Sequence, residues 1–321
     1  MMNAAVVHRF GETPRCESFD EPVLNNEEVL VHVAAAALNP STKLMASGQH
    51  YASPQQLPAV CGVEGVGRLD DGTRVFFGVR RPPNGSMCQT TAVPMAFCWR
   101  VPEGVSDAVA AALPNPGLSS WLPLIATARL TAGETVLVLG ATGVAGQLAV
   151  QIAKHLGAGR VVAAGRNESV LKRLRQLGAD SVISLAVADE ELEKAFAQEA
   201  RNGGFGVVLD YLWGHPTEIL LAAMTHKGFP TQSSGTRLIQ IGDSAGAVIS
   251  LPAQALRSAG LTIAGSGVMP NMELLSSALQ QLMDLAASNK IHIEVETVPL
   301  RHIEDAWTEV DAHGRRLVIV P

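Results

Sequence analysis

Two rhythms of apolar and polar positions divide the chain. Over the first third, short β-branched runs stand between Gly, Pro and Asp: "AAVVHRF", "EEVLVHVAAAAL", "EGVGRL" and "TRVFFGV". Runs of that length with that punctuation predict strands, spaced as in a barrel-like module. Prolines then gather at Pro102, Pro114, Pro116 and Pro123. A boundary is expected near "ALPNPGLSSW", with a helix beginning after Pro116. From Glu134 onward, largely apolar runs of strand length ("TVLVLG", "RVVAAG", "SVISL", "GVVLDYL", "RLIQIG") alternate with helical spacing ("VAGQLAVQIAKHLGA", "ESVLKRLRQLG", "DEELEKAFAQEA", "PTEILLAAMTHKG"). Strands without a polar face, separated by helices, predict a parallel sheet covered on both sides. The rest reads as strand "LTIAGSG", helix "MELLSSALQQLMDLAASNK", strand "EVETVPL", helix "IEDAWTEVDA" and strand "RLVIVP". The expected segments are 1–115, 116–262 and 263–321.

Composition narrows the partners. The 321 residues are 47% hydrophobic and 17% charged, which describes a folded globular chain and not a disordered one. The formal charge of -6, without a basic run, argues against a nucleic-acid partner, since phosphate neutralisation needs clustered Lys and Arg. A small-molecule substrate is the expected partner. No apolar stretch approaches the roughly 20 residues that cross a bilayer, so no membrane partner is expected. The start "MMNAAVVHRF" has no positive region followed by a long apolar run, so the expected location is the cytoplasm. Cys16, Cys61, Cys88 and Cys98 lie far apart and suggest neither a zinc ribbon nor a disulfide framework.

The densest chemical signal is "VLVLGATGVAGQLAVQIAKHLGA". Gly140, Gly143 and Gly146 join a predicted strand to a predicted helix, with Ala141, Thr142 and Val144 between them. Glycine permits the tight turn and lets backbone approach a pyrophosphate. The helix that follows aims free N–H groups and its positive dipole end at the anion. The spacing is GxxGxxG, and its context predicts dinucleotide binding.

The end of the next strand selects the dinucleotide. An acid there would accept bonds from both ribose hydroxyls and repel a 2′-phosphate. This chain has "AAGRN" instead, with Arg166 and Asn167 and no acid before Glu168. A guanidinium can grip a phosphate bidentately and an amide can donate to it, so NADP(H) is the expected cofactor. The competing reading is an exposed Arg166 beside an Asn167 that caps the next helix.

The glycine turn, together with "ALNPSTKLMASGQHY" and "LPAVCGVEGVG", resembles the quinone oxidoreductase branch of the medium-chain dehydrogenase/reductase superfamily, over essentially the whole chain. The resemblance implies an α/β fold: a GroES-like β-barrel catalytic domain (1–115), a Rossmann doubly wound parallel-sheet domain that binds NADP (116–262), and a C-terminal segment that returns to the catalytic domain (263–321). It also implies a homodimer or homotetramer. Zinc-dependent relatives carry Cys and His ligands where this chain has "NPSTK" and Val63, and a four-cysteine lobe that is missing here, so a metal-free site is expected. Glu64 would then be an acid at a strand junction, pairing with a buried arginine.

Without a Lewis acid, the chemistry left is hydride transfer to an acceptor that is already electron-poor, a quinone or an α,β-unsaturated carbonyl. The resemblance places Asn39 by the nicotinamide and Tyr51, with His50 competing, near the substrate oxygen. An Asn before Pro is equally an ordinary turn residue, and an amphipathic Tyr an ordinary surface one. The acid the family carries shortly after the Asn is Thr42 here, and a second aromatic is Leu44. Strand ends at Asp210 to Trp213 (with Leu212), "IGDSAG" (with Gly242) and Ala264 to Val268 (with Ser266) are expected near the cofactor, although Asp210 would equally cap the next helix. Arg315 and Arg316 reach the cofactor phosphates or form a solvated pair. Two other functions fit the same residues: an enoyl-thioester reductase, and an NADPH-binding structural or redox-sensing protein with little turnover.

Overall fold

The computed structural model describes residues 1–79, 81–225, 235–258, 260–267, 271–309 and 314–321. The chain forms two units, Met1–Asn115 with Leu279–Pro321, and Pro116–Ala278.

The first unit opens with strands β1 (Met2–Val7), β2 (Arg15–Phe19) and β3 (Glu28–Ala37), helix α1 (Pro40–Ala46), strands β4 (Ala59–Val60), β5 (Glu64–Arg68), β6 (Arg74–Gly78), β7 (Thr90–Pro94) and β8 (Cys98–Arg100), and helix α2 (Asp107–Ala112). Strands β2, β1 and β4 make an antiparallel three-stranded sheet. Ala5 N donates to Met87 O, and Cys61 N to Ala5 O, so β1 is tied down on both sides by backbone. Two apolar clusters fill this unit. One gathers Val6, Val31, Val60, Phe77 and Val93, the other Ala36, Leu38, Met87, Ile303 and Ile319.

The second unit runs through α3 (Pro114–Leu122), a π-helical turn at Pro123–Thr127, β9 (Thr135–Leu139), α4 (Val144–His155), β10 (Arg160–Gly165), α5 (Glu168–Leu174), β11 (Ser181–Ser184), α6 (Asp189–Arg201), β12 (Val207–Asp210), α7 (Gly214–Met224), β13 (Arg237–Gln240), α8 (Ala253–Ser258) and β14 (Thr262–Gly265). Its six strands lie in the order β11-β10-β9-β12-β13-β14, and every pairing is parallel. Val136, Leu137, Val138 and Leu139 are fully buried, as expected of a central strand covered on both faces. The chain leaves β9 toward β10 on one side and returns to β12 on the other. The β9/β12 boundary is therefore the topological switch point, where such sheets bind ligands.

Helix α9 (Met272–Ala287) crosses the division between units, and β15 (Val295–Pro299), α10 (Ile303–Thr308) and β16 (Arg316–Val320) complete the first unit. Its larger sheet runs β15-β16-β3-β5-β6-β8, with β7 also on β3. The β15/β16 pair is parallel and the other pairs are antiparallel. The molecule is thus α/β, a doubly wound parallel sheet plus a mixed-sheet unit.

Two sequence boundaries need correction. The expected return at 263 lies at 278/279, because β14 pairs with β13 from Thr262↔Arg237 to Gly265↔Gln240 and stays in the parallel sheet. The helix expected after Pro116 starts at Pro114. First-turn N–H groups have no helical acceptor, so prolines at the first and third positions cost no hydrogen bond there. Just upstream, α2 begins at a cap the sequence did carry: Ser106 Oγ accepts from Val109 N at 3.3 Å.

Candidate cofactor site

The glycine turn is built by close approach. Gly140 has φ +87°, a conformation that L side chains rarely adopt. The N–H groups of Gly140 and Ala141 both donate to Ala164 O, at 2.9 and 2.8 Å, which fastens the turn to β10. At Gly146 a Cβ would lie 2.3 Å from Gly140 O and 2.5 Å from Ala141 Cα, so α4 passes the turn at a distance only glycine allows. Gly143 differs. It caps α4 in extended conformation (φ -75°), its side is open, and a Cβ there would meet only Gly140 O at 3.5 Å. No side chain caps α4 and no acid occupies its first turn. The N–H groups of Val144, Ala145 and Gly146 stand without helical acceptors at the positive end of a twelve-residue helix. Thr142 and Val144 are half-buried beside them, and Ala141 is buried.

Across the switch point stands Leu212. A Cβ on Gly140 would come within 3.0 Å of Leu212 Cδ2, so the β9 and β12 ends share one crevice. The β12 end is held by Asp210, which is fully buried. Its Oδ1 accepts from Leu212 N and Trp213 N, both at 2.9 Å, and Oδ2 accepts from Thr217 Oγ1 at 2.6 Å. Burial pushes the Asp210 carboxyl above the usual range, and these hydrogen bonds pull against it. The clamp is needed because Trp213 has φ +54°, unfavourable for a bulky residue. Asp210 thus braces the turn ahead of α7 rather than capping the helix, whose N-cap, Trp213, has no side-chain cap hydrogen bond. Replacing Asp210 with Ala should cost about 1–2 kcal/mol: two orphaned N–H groups are partly offset by removal of a buried charge. A urea melt of the variant checks this.

Gly242 and Ser266 follow β13 and β14 at the same edge of the sheet. Gly242 N donates to Asp210 O (3.2 Å) and Ser266 N to Gln240 O (3.0 Å). Val268, in the stretch read with Ser266, lies outside the described residues.

At the end of β10, Arg166 is exposed and forms no ion pair or hydrogen bond among the described residues. Asn167 does cap α5: its Oδ1 accepts from Ser169 N (3.1 Å), Val170 N (3.2 Å) and Ser169 Oγ (2.7 Å). The amide N–H groups of Asn167 make no hydrogen bond among the described residues, so capping and donation to a ligand are compatible. Arg173, which the sequence does not single out, is also engaged. Arg173 Nη2 donates to Gln147 Oε1 at 2.5 Å, and Gln147 Nε2 donates to Thr142 O at 3.3 Å. The only signal was its place two helical turns after Arg166.

The two residues assigned to the acceptor lie in the first unit. Asn39 is fully buried and precedes α1, and its Nδ2 donates to Glu64 Oε1 at 2.7 Å. Tyr51 is 97% exposed and stacks on His50, with ring centroids 4.1 Å apart. Among the described residues no hydrogen bond holds the phenol, so it is open to a ligand and equally compatible with plain surface.

Comparison with known proteins follows the same lines. The zinc-binding dehydrogenase family model matches residues 144–288. Quinone oxidoreductase-like protein 2 of Bos taurus is 26% identical over 298 residues, covering 88% of this chain and 81% of that protein. The NADPH-dependent alkenal/one oxidoreductase of Arabidopsis thaliana is 32% identical over 178 residues, half of this chain and 46% of that one. The quinone oxidoreductase of Thermus thermophilus, whose crystal structures include a complex with NADPH, superposes with TM-score 0.79 at 28% identity over the full length of both chains. In sequence and fold the chain is thus similar to quinone oxidoreductase-like members of the medium-chain dehydrogenase/reductase superfamily.

Within that superfamily the donor set matters. The family-model match begins at residue 144 and includes none of the positions where zinc-dependent members bind metal. Where those ligands are expected this chain has Asn39 to Thr42, without a cysteine, and Val63, with Cys61 and Glu64 nearby. Burial pushes the Cys61 thiol up to about 12, so it is not a thiolate at neutral pH. Among the described residues no three His, Cys, Asp or Glu side chains gather to hold a metal. The residues present do not fit a catalytic zinc, which takes three such ligands. Thr42 is buried and Leu44 exposed where the family offers an acid and an aromatic. Arg315 and Arg316 are neither a solvated pair nor free for phosphates. Arg315 is ion-paired with Glu296 and Glu309, and Arg316 is buried with Nη1 on Leu38 O at 3.1 Å. No helix among the described residues is long and apolar enough to cross a membrane.

Proposed function

We propose that the chain is an NADPH-dependent, zinc-independent reductase that delivers hydride to a quinone or an α,β-unsaturated carbonyl. The observation that carries the proposal is the uncapped glycine turn at the switch point with an unpartnered Arg166 beside it. The α4 N–H groups would hold the pyrophosphate, with Gly143 leaving room for it. Arg166 and the Asn167 amide would hold the 2′-phosphate. Leu212, Gly242 and Ser266 would flank the rest of the dinucleotide with apolar or small groups. Bound there, NADPH supplies the hydride from its nicotinamide C4. The protein would contribute positioning and exclusion of water, and since no metal donor set gathers among the described residues, the acceptor would be one that is already electron-poor.

Steady-state NADPH oxidation against quinones, enals and enoyl thioesters tests the reading. Turnover of a quinone or enal supports it. Turnover of enoyl thioesters alone shifts the substrate class, and tight NADPH binding without any turnover leaves a binding protein. The subunit arrangement that goes with this reading is a homodimer or homotetramer, which sedimentation checks. Tyr51→Phe is expected to lower turnover several-fold with NADPH affinity unchanged, as loss of one hydrogen bond to the acceptor would do. Equal turnover in the same assay removes Tyr51 from the reaction.

A further inference from the structure

Three neighbouring strands bring Asn39, Glu64 and Arg316 together at one end of the mixed sheet. Strand β16 pairs with β3 at Val318↔Ala37 and Ile319↔Ala36, and Leu38 N donates to Leu317 O. One step further along, residue 316 lies opposite residue 39. On the other side of β3, Gly65 pairs with Ala36, which puts Glu64 opposite residue 37. The side chains follow that register. Asn39 Nδ2 meets Glu64 Oε1 at 2.7 Å, and Arg316 Nη1 reaches Leu38 O at 3.1 Å. Arg316 is buried, which weakens its hold on the proton, and the charge of Glu64 works against that loss. At the centre, Asn39 is fully buried and its Oδ1 has no hydrogen-bond partner among the described residues.

An amide can be turned over without changing its shape, so chemistry must fix which atom faces Glu64. A carboxylate accepts hydrogen bonds and donates none, so the amide meets it with nitrogen. The buried orphan is then a carbonyl oxygen. Leaving such an atom unpaired is costly, which points to a partner that arrives with the ligand.

We propose that Glu64 and Arg316 are positioning residues that lock the Asn39 amide with its nitrogen on Glu64, so that Asn39 presents Oδ1, an acceptor, to an N–H or O–H donor of the bound ligand. This rests on the reductase reading for what the ligand is, but not for the lock itself.

Side-chain amide NMR on protein labelled with 15N-asparagine tests the lock without catalysis. In the wild type, one Asn39 amide proton should lie downfield of the other asparagine side chains and exchange slowly. In Glu64→Gln, where the partner can donate as well as accept, the displacement should vanish. Arg316→Lys should keep it and Arg316→Met should weaken it, and these two decide the matter if Glu64→Gln does not fold. An unchanged Asn39 signal in both Glu64→Gln and Arg316→Met overturns the lock. Adding NADP+ alone, or phenol alone, separates a carboxamide donor from a hydroxyl donor. A shift of the Asn39 signals by either supports the acceptor role, and a shift by neither overturns it. In turnover, Glu64→Gln and Arg316→Met should lower kcat about tenfold to a hundredfold, as misplaced groups do. Where NADP+ alone shifts the Asn39 signals, the KM for NADPH should rise as well, and where phenol alone does, it should stay within about twofold. Loss of thermal stability with kcat intact would mean that the pair only braces the sheet. If the wild type turns over no acceptor, the reductase reading falls and the amide spectrum alone judges the lock.

Discussion

Gly146→Ala is expected to destabilise the chain by about 3 kcal/mol, the upper end for inserting a methyl into a packed site. The clash explains the size. The new Cβ would stand 2.3 Å from Gly140 O and 2.5 Å from Ala141 Cα, and both are backbone atoms that cannot rotate aside. Either α4 moves away from the turn or the turn leaves β10, where Gly140 and Ala141 hang from Ala164 O. For a domain of this size, that energy lowers Tm by roughly 6–12 °C. NADPH affinity should fall as well, because the displaced helix carries the N–H groups proposed to bind pyrophosphate. Gly143→Ala separates the two effects. Its Cβ meets nothing closer than 3.5 Å and its φ is -75°, so the free protein should melt within a few degrees of wild type. The same methyl would stand where a phosphate must approach, and NADPH binding should weaken sharply. Thermal melts paired with NADPH fluorescence titrations read both variants. A Gly146→Ala protein that melts and binds like wild type would remove close packing as the reason for that glycine.

Sequence and structure agree best where burial is two-sided. Strands β9, β10 and β12 show up as largely apolar runs because both faces are buried, and the glycine turn after β9 is legible without any knowledge of pairing. The first unit is less legible. Strand β2 alternates exposed and half-buried positions, β4 has only two residues, and β8 is half-exposed, so none has an apolar signature of its own. The Asn167 cap was readable, since a side chain acting on its own next turn is a local affair. The Asn39–Glu64–Arg316 set was only partly so. An arginine partner for Glu64 was expected, but Arg316 contacts a carbonyl 278 positions away in sequence. Only the register of β16 on β3 identifies it, and register depends on the whole sheet.

The strongest test of cofactor choice is Arg166→Ala, expected to weaken NADPH by about 1.5–3 kcal/mol, the range for a charged hydrogen bond. That is roughly a 10- to 150-fold rise in Kd, with NADH changed little. The free side chain is exposed and makes no ion pair or hydrogen bond among the described residues, so binding phosphate breaks no existing contact. Two neighbours bear on the size. Arg173, held to Gln147, adds positive potential near the turn, whereas Glu168, exposed in the first turn of α5, opposes it. Exposure also means screening, so the Arg166 contribution should shrink as salt rises past physiological strength. Arg166→Lys should recover part of the loss but not all, since an ammonium cannot make the two parallel bonds of a guanidinium. Asn167→Ala should behave differently, losing about 1 kcal/mol of helix capping and showing it in stability as well as in NADPH binding. Equal NADPH and NADH affinities in the wild type, unchanged in Arg166→Ala, would leave the end of β10 as an ordinary helix start. Selection of the phosphorylated dinucleotide would then have no residue to carry it.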